Sequence, residues 1–507
     1  MRRKILVAQL ILVGLLVLFL VPGVSAQSPA CDNRVNNTLD KLLECVTLDG
    51  VREHQAAFQA IADANGGNRF SGLPGHDASV DYVVERLTAA GYQPIVQEFE
   101  YLAFTPLGPS SLDQTAPVPT AYVEGTDFQV MDQSDAGDVT ALVTAVDINL
   151  VPPRASTSGC EASDFVGFPV GNIALLQRGT CTFEDKAENA AAAGAVGAII
   201  FNQGNTPDRE GLINGTLGAT NESGIPVVEA TFARGEEWAG TPGLTMHIFT
   251  NVTRGTKTTF NVFAETPGQA DNVVMVGAHL DSVGAGPGIQ DNGSGSAAIL
   301  EVAEQMAKVK PRNMVRFAWW GAEESGLVGS TYYVSNLSES ELDDITLYLN
   351  FDMIGSPNHV FFIYDGDDSD GEGAGPGPDG SAQIEETFEA YFNAVDLPFK
   401  GTDFSGRSDY GPFIAAGIPA GGLFTGAEGI KTAEEAALWG GTAGSPYDPC
   451  YHEACDTYDN INLSALDANS DAVALATLQF AMSTENINGE RGKGNFNPDR
   501  LGDLFIK

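Results

Sequence analysis

The alternation of apolar and polar residues predicts helices and strands over much of the chain. In Asp77–Ala90, the apolar positions 80, 83, 84 and 87 share one face of a helix, which we expect to end at Gly91. The following segment, Pro94–Leu102, alternates with the period of two that is typical of a strand.

From Thr258 onward, short apolar runs alternate with helical patterns. In chain order they predict a strand over Val273–Val276, a helix over Ser294–Lys308, a strand over Met314–Trp319, a helix from Ser325 and a strand over Ile345–Phe351. Strands that alternate with helices favour an α/β fold, in which helices cover the faces of a mixed β-sheet.

The stretch between these two parts, residues 106–252, has a different pattern. It contains many short β-like runs and turn residues, one helix over Phe183–Ala195 and the apolar strand AVGAIIFN. We therefore expect a mainly β insertion. Its residues 171–202 resemble the protease-associated (PA) domain, a module without catalytic residues that is inserted in several secreted peptidases. The resemblance implies that the insertion flanks the active site or binds peptide.

The first 26 residues predict a cleaved secretory leader. Arg2, Arg3 and Lys4 precede an apolar stretch, and Ala26 ends a small-residue cleavage site. The apolar stretch is longer than usual, so an uncleaved membrane anchor is the alternative. No later stretch is long and apolar enough to span a bilayer. We expect a secreted, extracellular protein that does not bind membranes after the leader is cleaved.

Acidic residues dominate the charge of the chain. There are 67 of them against 26 basic residues, a formal net charge of −41. Such a surface repels nucleic acid and anionic membranes, which excludes both as partners. It is typical of an extracellular protein and also of adaptation to high salt. The acidic, Gly-rich residues 365–381 predict a surface loop, which is either solvated or a site for Ca²⁺.

Six cysteines follow the leader, and an even number in an oxidising compartment indicates disulfides. Several pairings are formally open, and we expect each cysteine to pair with its nearest neighbour: Cys31–Cys45, Cys160–Cys181 and Cys450–Cys455. Zinc binding by cysteine is disfavoured, because no C-x-x-C spacing occurs.

Histidine and acidic residues follow three of the predicted strands. His279 follows VVMVGA, the pair Glu323–Glu324 follows VRFAWWGA, and Asp352 follows LYLNF. In open α/β sheets, ligands gather where strands end. Asp291 lies in a Gly-rich turn before a helix, and His452 lies between Cys450 and Cys455.

Each of these residues, taken alone, has a structural interpretation: a structural histidine, a helix cap or a solvated acidic pair. Their joint occurrence favours a metal site, because two of the chain's six histidines fall inside such motifs. Imidazole and carboxylate groups are ligands of zinc. The set can hold two zinc ions and leave one carboxylate to act as a base.

The motifs HLDSV, DNGSGSAAILEVA, WWGAEESGLVGS, NFDMIG, GRSDYGPF, IPAGGLFTGAE and YDPCYHEACDT are spread along residues 258–485, most of which the following resemblance covers. In order and in neighbours they resemble the secreted bacterial di-zinc aminopeptidases, within the superfamily of glutamate carboxypeptidase II and the transferrin receptor. The resemblance implies that His279 and Asp352 bind one zinc ion, that Glu324 and His452 bind the other, and that Asp291 bridges them.

The same resemblance implies roles for residues around the metals. Glu323 is the expected general base and acid, Asp281 orients the imidazole of His279, and Tyr451 holds the developing oxyanion. The motif Arg407-Ser408-Asp409 is expected on the substrate side.

We therefore predict an aminopeptidase, an enzyme that removes the N-terminal residue of peptides and proteins by hydrolysing the first peptide bond. The expected first residue is Leu-like or otherwise hydrophobic. Two alternatives stay open: a carboxypeptidase or dipeptidase that uses Arg407 to bind a substrate carboxylate, and an inactive, receptor-like peptide-binding relative. The predicted organisation is a leader over 1–26, the N-terminal part of the peptidase domain over 27–105, the PA insertion over 106–252, the di-zinc peptidase domain over 253–485 and a polar tail over 486–507.

Overall fold

The computed structural model of the chain describes residues 31, 33–206, 209–213, 215–218, 220–371, 373 and 375–489. The predicted leader and residues 490–507 of the predicted tail lie outside this range. Among the described residues, no helix combines the length and the apolar character needed to cross a bilayer.

The strands of the described residues are β1 (Ile95–Pro106), β2 (Ser111–Ala116), β3 (Thr120–Ala121), β4 (Phe128–Val130), β5 (Gly137–Ala145), β6 (Ile173–Gln177), β7 (Gly197–Phe201), β8 (Val227–Ala230), β9 (Thr245–Thr250), β10 (Val252–Glu265), β11 (Gln269–His279), β12 (Asn313–Trp320), β13 (Ile345–Phe351), β14 (Phe362–Tyr364), β15 (Lys400–Thr402) and β16 (Ala420–Phe424).

The described α-helices are α1 (Leu39–Leu43), α2 (Leu48–Ala64), α3 (Pro74–Ala90), α4 (Phe183–Ala192), α5 (Phe232–Ala239), α6 (Gly293–Met306), α7 (Val328–Ser335), α8 (Glu339–Asp343), α9 (Ser381–Ala394), α10 (Tyr410–Ala415), α11 (Ala433–Trp439), α12 (Leu463–Met482) and α13 (Glu485–Asn488), with one short 3₁₀ helix at Ala162–Phe165.

The main sheet has eight strands in the order β1-β10-β12-β11-β13-β16-β14-β15. Strand β11 is parallel to β12 and β13, β13 is parallel to β16, and β14 is parallel to β15. The pairs β1–β10, β10–β12 and β14–β16 are antiparallel. The predicted mixed α/β fold is therefore confirmed.

Helices cover both faces of this sheet, and the pleat of the central strands explains why. In β11, Val274 and Val276 face the core cluster that includes Phe58 of α2 and Leu300 of α6. The alternate residue Met275 faces a second cluster, formed with α7 and α10. Because both faces are buried, the central strands are continuous apolar runs rather than alternating ones.

The chain between β1 and β10 forms a second eight-stranded sheet, in the order β3-β2-β9-β5-β6-β7-β8-β4. It has its own buried apolar clusters. Strands β5 to β8 run parallel to one another, and α4 connects β6 to β7. Pro106 pairs directly with Val252, so the chain leaves and rejoins the main sheet at opposite residues.

The predicted elements are present, with shifted ends. The helix expected from Ser325 begins at Val328, because Leu327 has a left-handed backbone with φ 58°. The helix expected from Asp77 begins at Pro74, a residue suited to a first helical turn. All three expected disulfides are present: Cys31–Cys45, Cys160–Cys181 and Cys450–Cys455.

The described start of the predicted polar tail is helical. Glu485–Asn488 form α13, and the Asn488 side chain donates a hydrogen bond of 2.8 Å to Asn272 Oδ1 beside the main sheet. The first described residues of that segment are thus packed on the peptidase domain.

Helix α6 approaches β13 so closely that Gly295 leaves no room for a side chain. A Cβ atom there would lie 2.1 Å from the carbonyl oxygen of Phe351. Alanine normally favours a helix over glycine, but we expect Gly295→Ala to lower the free energy of unfolding by about 1–3 kcal/mol through overpacking. Thermal denaturation of this variant beside Gly255→Ala, where a Cβ meets nothing within 4 Å, provides the test. Equal stability of the two variants would contradict the expectation.

Candidate metal centre

The candidate ligands come together at one edge of the main sheet. His279 is the last residue of β11, Asp352 directly follows β13, and Glu323 and Glu324 follow β12 after a short turn. These strands are parallel, so their carboxyl ends lie at the same edge. Asp291 lies just before α6, whose N-cap is Asn292.

Asp291 lies between two histidines. Its Oδ1 is 3.2 Å from His279 Nε2, and its Oδ2 is 3.2 Å from His452 Nε2. Asp352 Oδ1 is also 3.2 Å from His279 Nε2, and Glu324 Oε2 is 3.0 Å from His452 Nε2. The ligand atoms thus form two groups that share one carboxylate.

The donor set fits divalent cations. His279 is 1% exposed and Asp291 5%, so these polar atoms are largely removed from water. Glu324 Oε1 is buried and accepts no hydrogen bond from any described residue. A buried oxygen without a partner is costly unless a cation or a donor satisfies it. Nitrogen and carboxylate ligands in groups with room for water suit zinc.

The pKa shifts in the site arise because several acidic groups are buried together with two imidazoles. Burial raises the pKa of Glu323 well above its usual range and also raises the pKa of Glu324. Burial opposes the charged form of His452, yet Glu324 and Asp291 raise its pKa to about 11. Burial likewise opposes charge on His279, and the carboxylates of Glu323 and Asp352 raise its pKa well above the usual value. The cluster therefore attracts positive charge.

Asp281 contacts the imidazole of His279, as expected, and also contacts the turn that carries Glu323. Its carboxylate Oδ1 is 3.7 Å from His279 Nδ1, whereas its main-chain oxygen is 3.2 Å from that nitrogen. The carboxylate instead accepts a hydrogen bond of 3.1 Å from the backbone N–H of Glu323. Asp281 thus holds the ring through its carbonyl group and holds the Glu323 turn through its side chain.

Ser408 and Asp409, which were predicted to bind substrate, are buried in the structure. The Ser408 hydroxyl donates to Asp352 Oδ2 at 2.6 Å and accepts from the Asn350 side chain at 2.9 Å. Asp409 is completely buried, and burial raises its pKa to about 7. Ser408 thus positions the candidate ligand Asp352, and both residues are buried rather than on the solvent side of the site.

Arg407 and Tyr451 are nearer the solvent. The ring of Tyr451 stacks on the imidazole of His452, with centroids 3.8 Å apart. Arg407, whose side chain is 60% exposed, donates to Glu428 Oε1 at 2.8 Å and to Tyr451 Oη at 3.2 Å. The two residues lie beside His452, at the entrance of the site.

Sequence reasoning missed Asp456, which holds the Asp291 turn. Its carboxylate oxygens accept hydrogen bonds from the backbone N–H groups of Gln290 (2.8 Å) and Asp291 (2.9 Å). Asp456 is the last residue of the motif CYHEACD, so the signal was present. Its partner lies 165 residues away along the chain, and a motif does not name such a partner.

In the described part of the acidic loop predicted for Ca²⁺, Asp365 and Asp367 form a cluster with Glu385 of α9, and these residues offer oxygens within 4.8 Å of one another. The two carboxylate oxygens of Asp365 accept hydrogen bonds from the backbone of Ser369 and Asp370. Glu385 accepts one from Gly366. Calcium binding there stays a prediction.

Two family models match the chain. The PA domain matches residues 146–238, inside the second sheet, and peptidase family M28 matches residues 261–477, which include every candidate ligand. An aminopeptidase from Pseudomonas aeruginosa is 55% identical over 450 residues, covering 89% of this chain and 84% of the relative. The chain belongs to peptidase family M28.

Other relatives of this M28 peptidase agree. Leucine aminopeptidase 2 from Arthroderma otae is 42% identical over 428 residues, covering 82% of this chain and 80% of the relative. Among solved structures, an aminopeptidase from Aneurinibacillus sp. strain AM-1 superposes with a TM-score of 0.67 at 27% identity, covering 87% of this chain and 96% of that one. The recognition of an aminopeptidase with an inserted PA domain is confirmed.

The contact between Ser408 and Asp352 leads to a prediction. Because the hydroxyl orients a candidate ligand, we expect Ser408→Ala to weaken zinc binding by about 10–100-fold, as measured by competition with a chelator. Ser405→Ala is the control, since that hydroxyl contacts the hydroxyl of Tyr410 at 3.3 Å and is three residues earlier. Zinc affinity equal in the two variants would contradict the positioning role.

Proposed function

We propose that this M28 peptidase is a secreted di-zinc aminopeptidase that removes the N-terminal residue of peptides. One observation carries the proposal: the two oxygens of Asp291 each face a different histidine. His279 and Asp352 would hold one ion, and His452 and Glu324 the other. When bound, two zinc ions lower the pKa of a water molecule and polarise the scissile carbonyl group.

Glu323 is the proposed general base and acid. Its Oε2 is 3.8 Å from His279 Nε2, farther than the oxygens of Asp291 and Asp352. It is therefore the carboxylate left free to accept a proton from the attacking water and to return it to the leaving amine. Asp281 fixes the backbone from which this side chain extends.

Tyr451 is the proposed partner of the oxyanion. Its ring is held against His452, and a phenol hydroxyl at that position can donate a hydrogen bond to the charge that develops on the carbonyl oxygen. Arg407 donates to the oxygen of Tyr451 and would orient its hydroxyl.

The same contacts weigh against a carboxypeptidase. That alternative needs a cation to bind the substrate carboxylate, and Arg407 was its candidate in the sequence. The guanidinium group is already paired with Glu428 and Tyr451. An inactive receptor-like relative is also disfavoured, because the candidate ligands and the base are all present.

A Leu-like first residue and secretion are the finer parts of the proposal. The name of the fungal relative, leucine aminopeptidase 2, supports the preference. The small and apolar residues of the segment Gly421–Gly429 support it less, since Leu423 lies in the core of the sheet. Secretion is supported by the three disulfides, which form in oxidising compartments.

Substrate recognition by the free amine can be measured directly. We expect zinc-loaded protein without its leader to hydrolyse leucine p-nitroanilide and to leave the N-acetylated compound intact, because an aminopeptidase must bind the free α-amine. Hydrolysis of both compounds would point to a broader peptidase or amidase. Hydrolysis of neither would move the assignment to the carboxypeptidase or the receptor-like alternative.

Variants of the two adjacent glutamates distinguish the general base from the metal ligand. We expect Glu323→Gln to retain two zinc ions per chain and to lose about 10²–10⁴-fold in kcat, the usual contribution of a general base. Glu324→Gln should instead lose zinc from one site, because that oxygen faces His452. Metal content by elemental analysis and kcat on leucine p-nitroanilide distinguish the two. Near-normal turnover by Glu323→Gln would overturn its assignment.

A further inference from the structure

Arg69 is a fully buried cation in the connection between α2 and α3. It lies outside the residues matched by the M28 model, and no metal-ligand motif includes it. Its guanidinium packs over the ring of Phe58, 5.1 Å from the centroid. A buried arginine persists only where its donors find acceptors, so its partners are informative.

The donors of Arg69 contact a single segment, the connection from β11 to α6. The guanidinium donates to the main-chain oxygens of Leu280, Pro287 and Gly288, with 2.9 Å for the bond from Nε to Pro287. Two hydrogen bonds join the backbone of Arg69 to Ser282. The Arg69 N–H donates to the Ser282 hydroxyl at 2.8 Å, and the Ser282 N–H donates to the Arg69 carbonyl oxygen at 3.3 Å.

This segment has a candidate metal ligand at each end. Leu280 directly follows His279, and Gly288 precedes Asp291 by three residues. One planar group therefore holds the start and the end of the segment together. Gly288 has φ +62°, and a Cβ there would lie 2.4 Å from the carbonyl oxygen of Asp291 and 3.2 Å from Arg69 Nη2. The segment is folded tightly around the guanidinium.

Helix α2 supports the same segment from beside Arg69. The Gln55 side chain donates to the main-chain oxygen of Ile289 at 3.1 Å. The described N-terminal part of the chain thus contacts the segment near both of its ends, although none of the candidate ligands of this metal centre belongs to it.

We infer that Arg69 is a positioning residue of the metal centre, which sets the separation of His279 and Asp291 and thereby the affinity for metal. The inference rests on the metal site of the proposed function. Its specific content is that the geometry of the guanidinium matters in addition to its charge. Lysine keeps the charge and lacks the planar set of donors that reaches three carbonyl groups.

The test is the zinc affinity of Arg69→Lys, measured by competition with a chelator, with the melting temperature of the metal-free protein as a second readout. We expect the dissociation constant for zinc to rise by about 10–100-fold, as for other residues that orient metal ligands. Arg316→Lys is the matched control: that arginine of β12 donates to Glu265 of β10 at 2.7 Å and to Tyr333 of α7, and it contacts neither end of the segment.

A wild-type zinc affinity in Arg69→Lys would overturn the inference, whatever happens to the melting temperature, because Arg69 would then serve only the fold. If the wild-type protein itself bound no zinc, the proposed function would fail, and this inference with it. Should Arg69→Lys not fold, Ser282→Ala replaces it, since this removes the hydroxyl that accepts from the Arg69 backbone. Weaker zinc binding by Ser282→Ala supports the inference, and unchanged binding overturns it.

Discussion

Carboxylates that share a buried space repel one another, and water is not available to screen them. Four such carboxylates lie at the edge of the main sheet: Glu323, Glu324, Asp291 and Asp352. The imidazoles of His279 and His452 lie within 4 Å of them. An arrangement of this kind is stable only when cations or protons compensate it. The surrounding structure is understandable as the framework that keeps these groups together in spite of their repulsion.

That framework uses many separate elements. The parallel strands bring three candidate ligand positions to one edge, and the disulfide Cys450–Cys455 closes the loop that carries His452. Asp456, from the same loop, holds the backbone of Asp291. Because the strand pairings and the Asp456 contact join segments that are far apart in the chain, the site forms only when the whole domain folds. A local change can therefore affect the metal centre without touching a ligand.

The positions of several strands along the chain, and the candidate ligands, could be predicted because both depend on local signals. A continuous apolar run followed by histidine or an acid marks a strand end, and parallel strand ends meet. Which residues of one motif are buried and which face solvent could not be predicted in the same way. Ser408 and Asp409 lie next to Arg407 in sequence, yet they are buried behind Asp352 while Arg407 is exposed. Only the three-dimensional path of α10 and the turn before it determines which way each side chain points.

Other contacts were invisible for a related reason. Arg69 and Asp456 act through backbone groups, whose availability depends on the turn that presents them, and a backbone carbonyl has no signature in the sequence. The sequence likewise did not indicate that Asp281 contacts the imidazole of His279 through its main-chain oxygen. The sequence gives the chemical type of each side chain, whereas which backbone oxygens are free to accept a hydrogen bond depends on the fold.

The direct pairing of Pro106 with Val252 has a consequence for how the chain folds and diversifies. About 145 residues, from 107 to 251, join two opposite positions of an antiparallel ladder that a two-residue hairpin would otherwise connect. The entropy of closing such a loop grows only slowly with its length, and a segment that folds by itself brings its ends together in advance. In evolutionary terms, this junction is a place where a module can be gained, exchanged or lost while the register of the catalytic sheet stays intact.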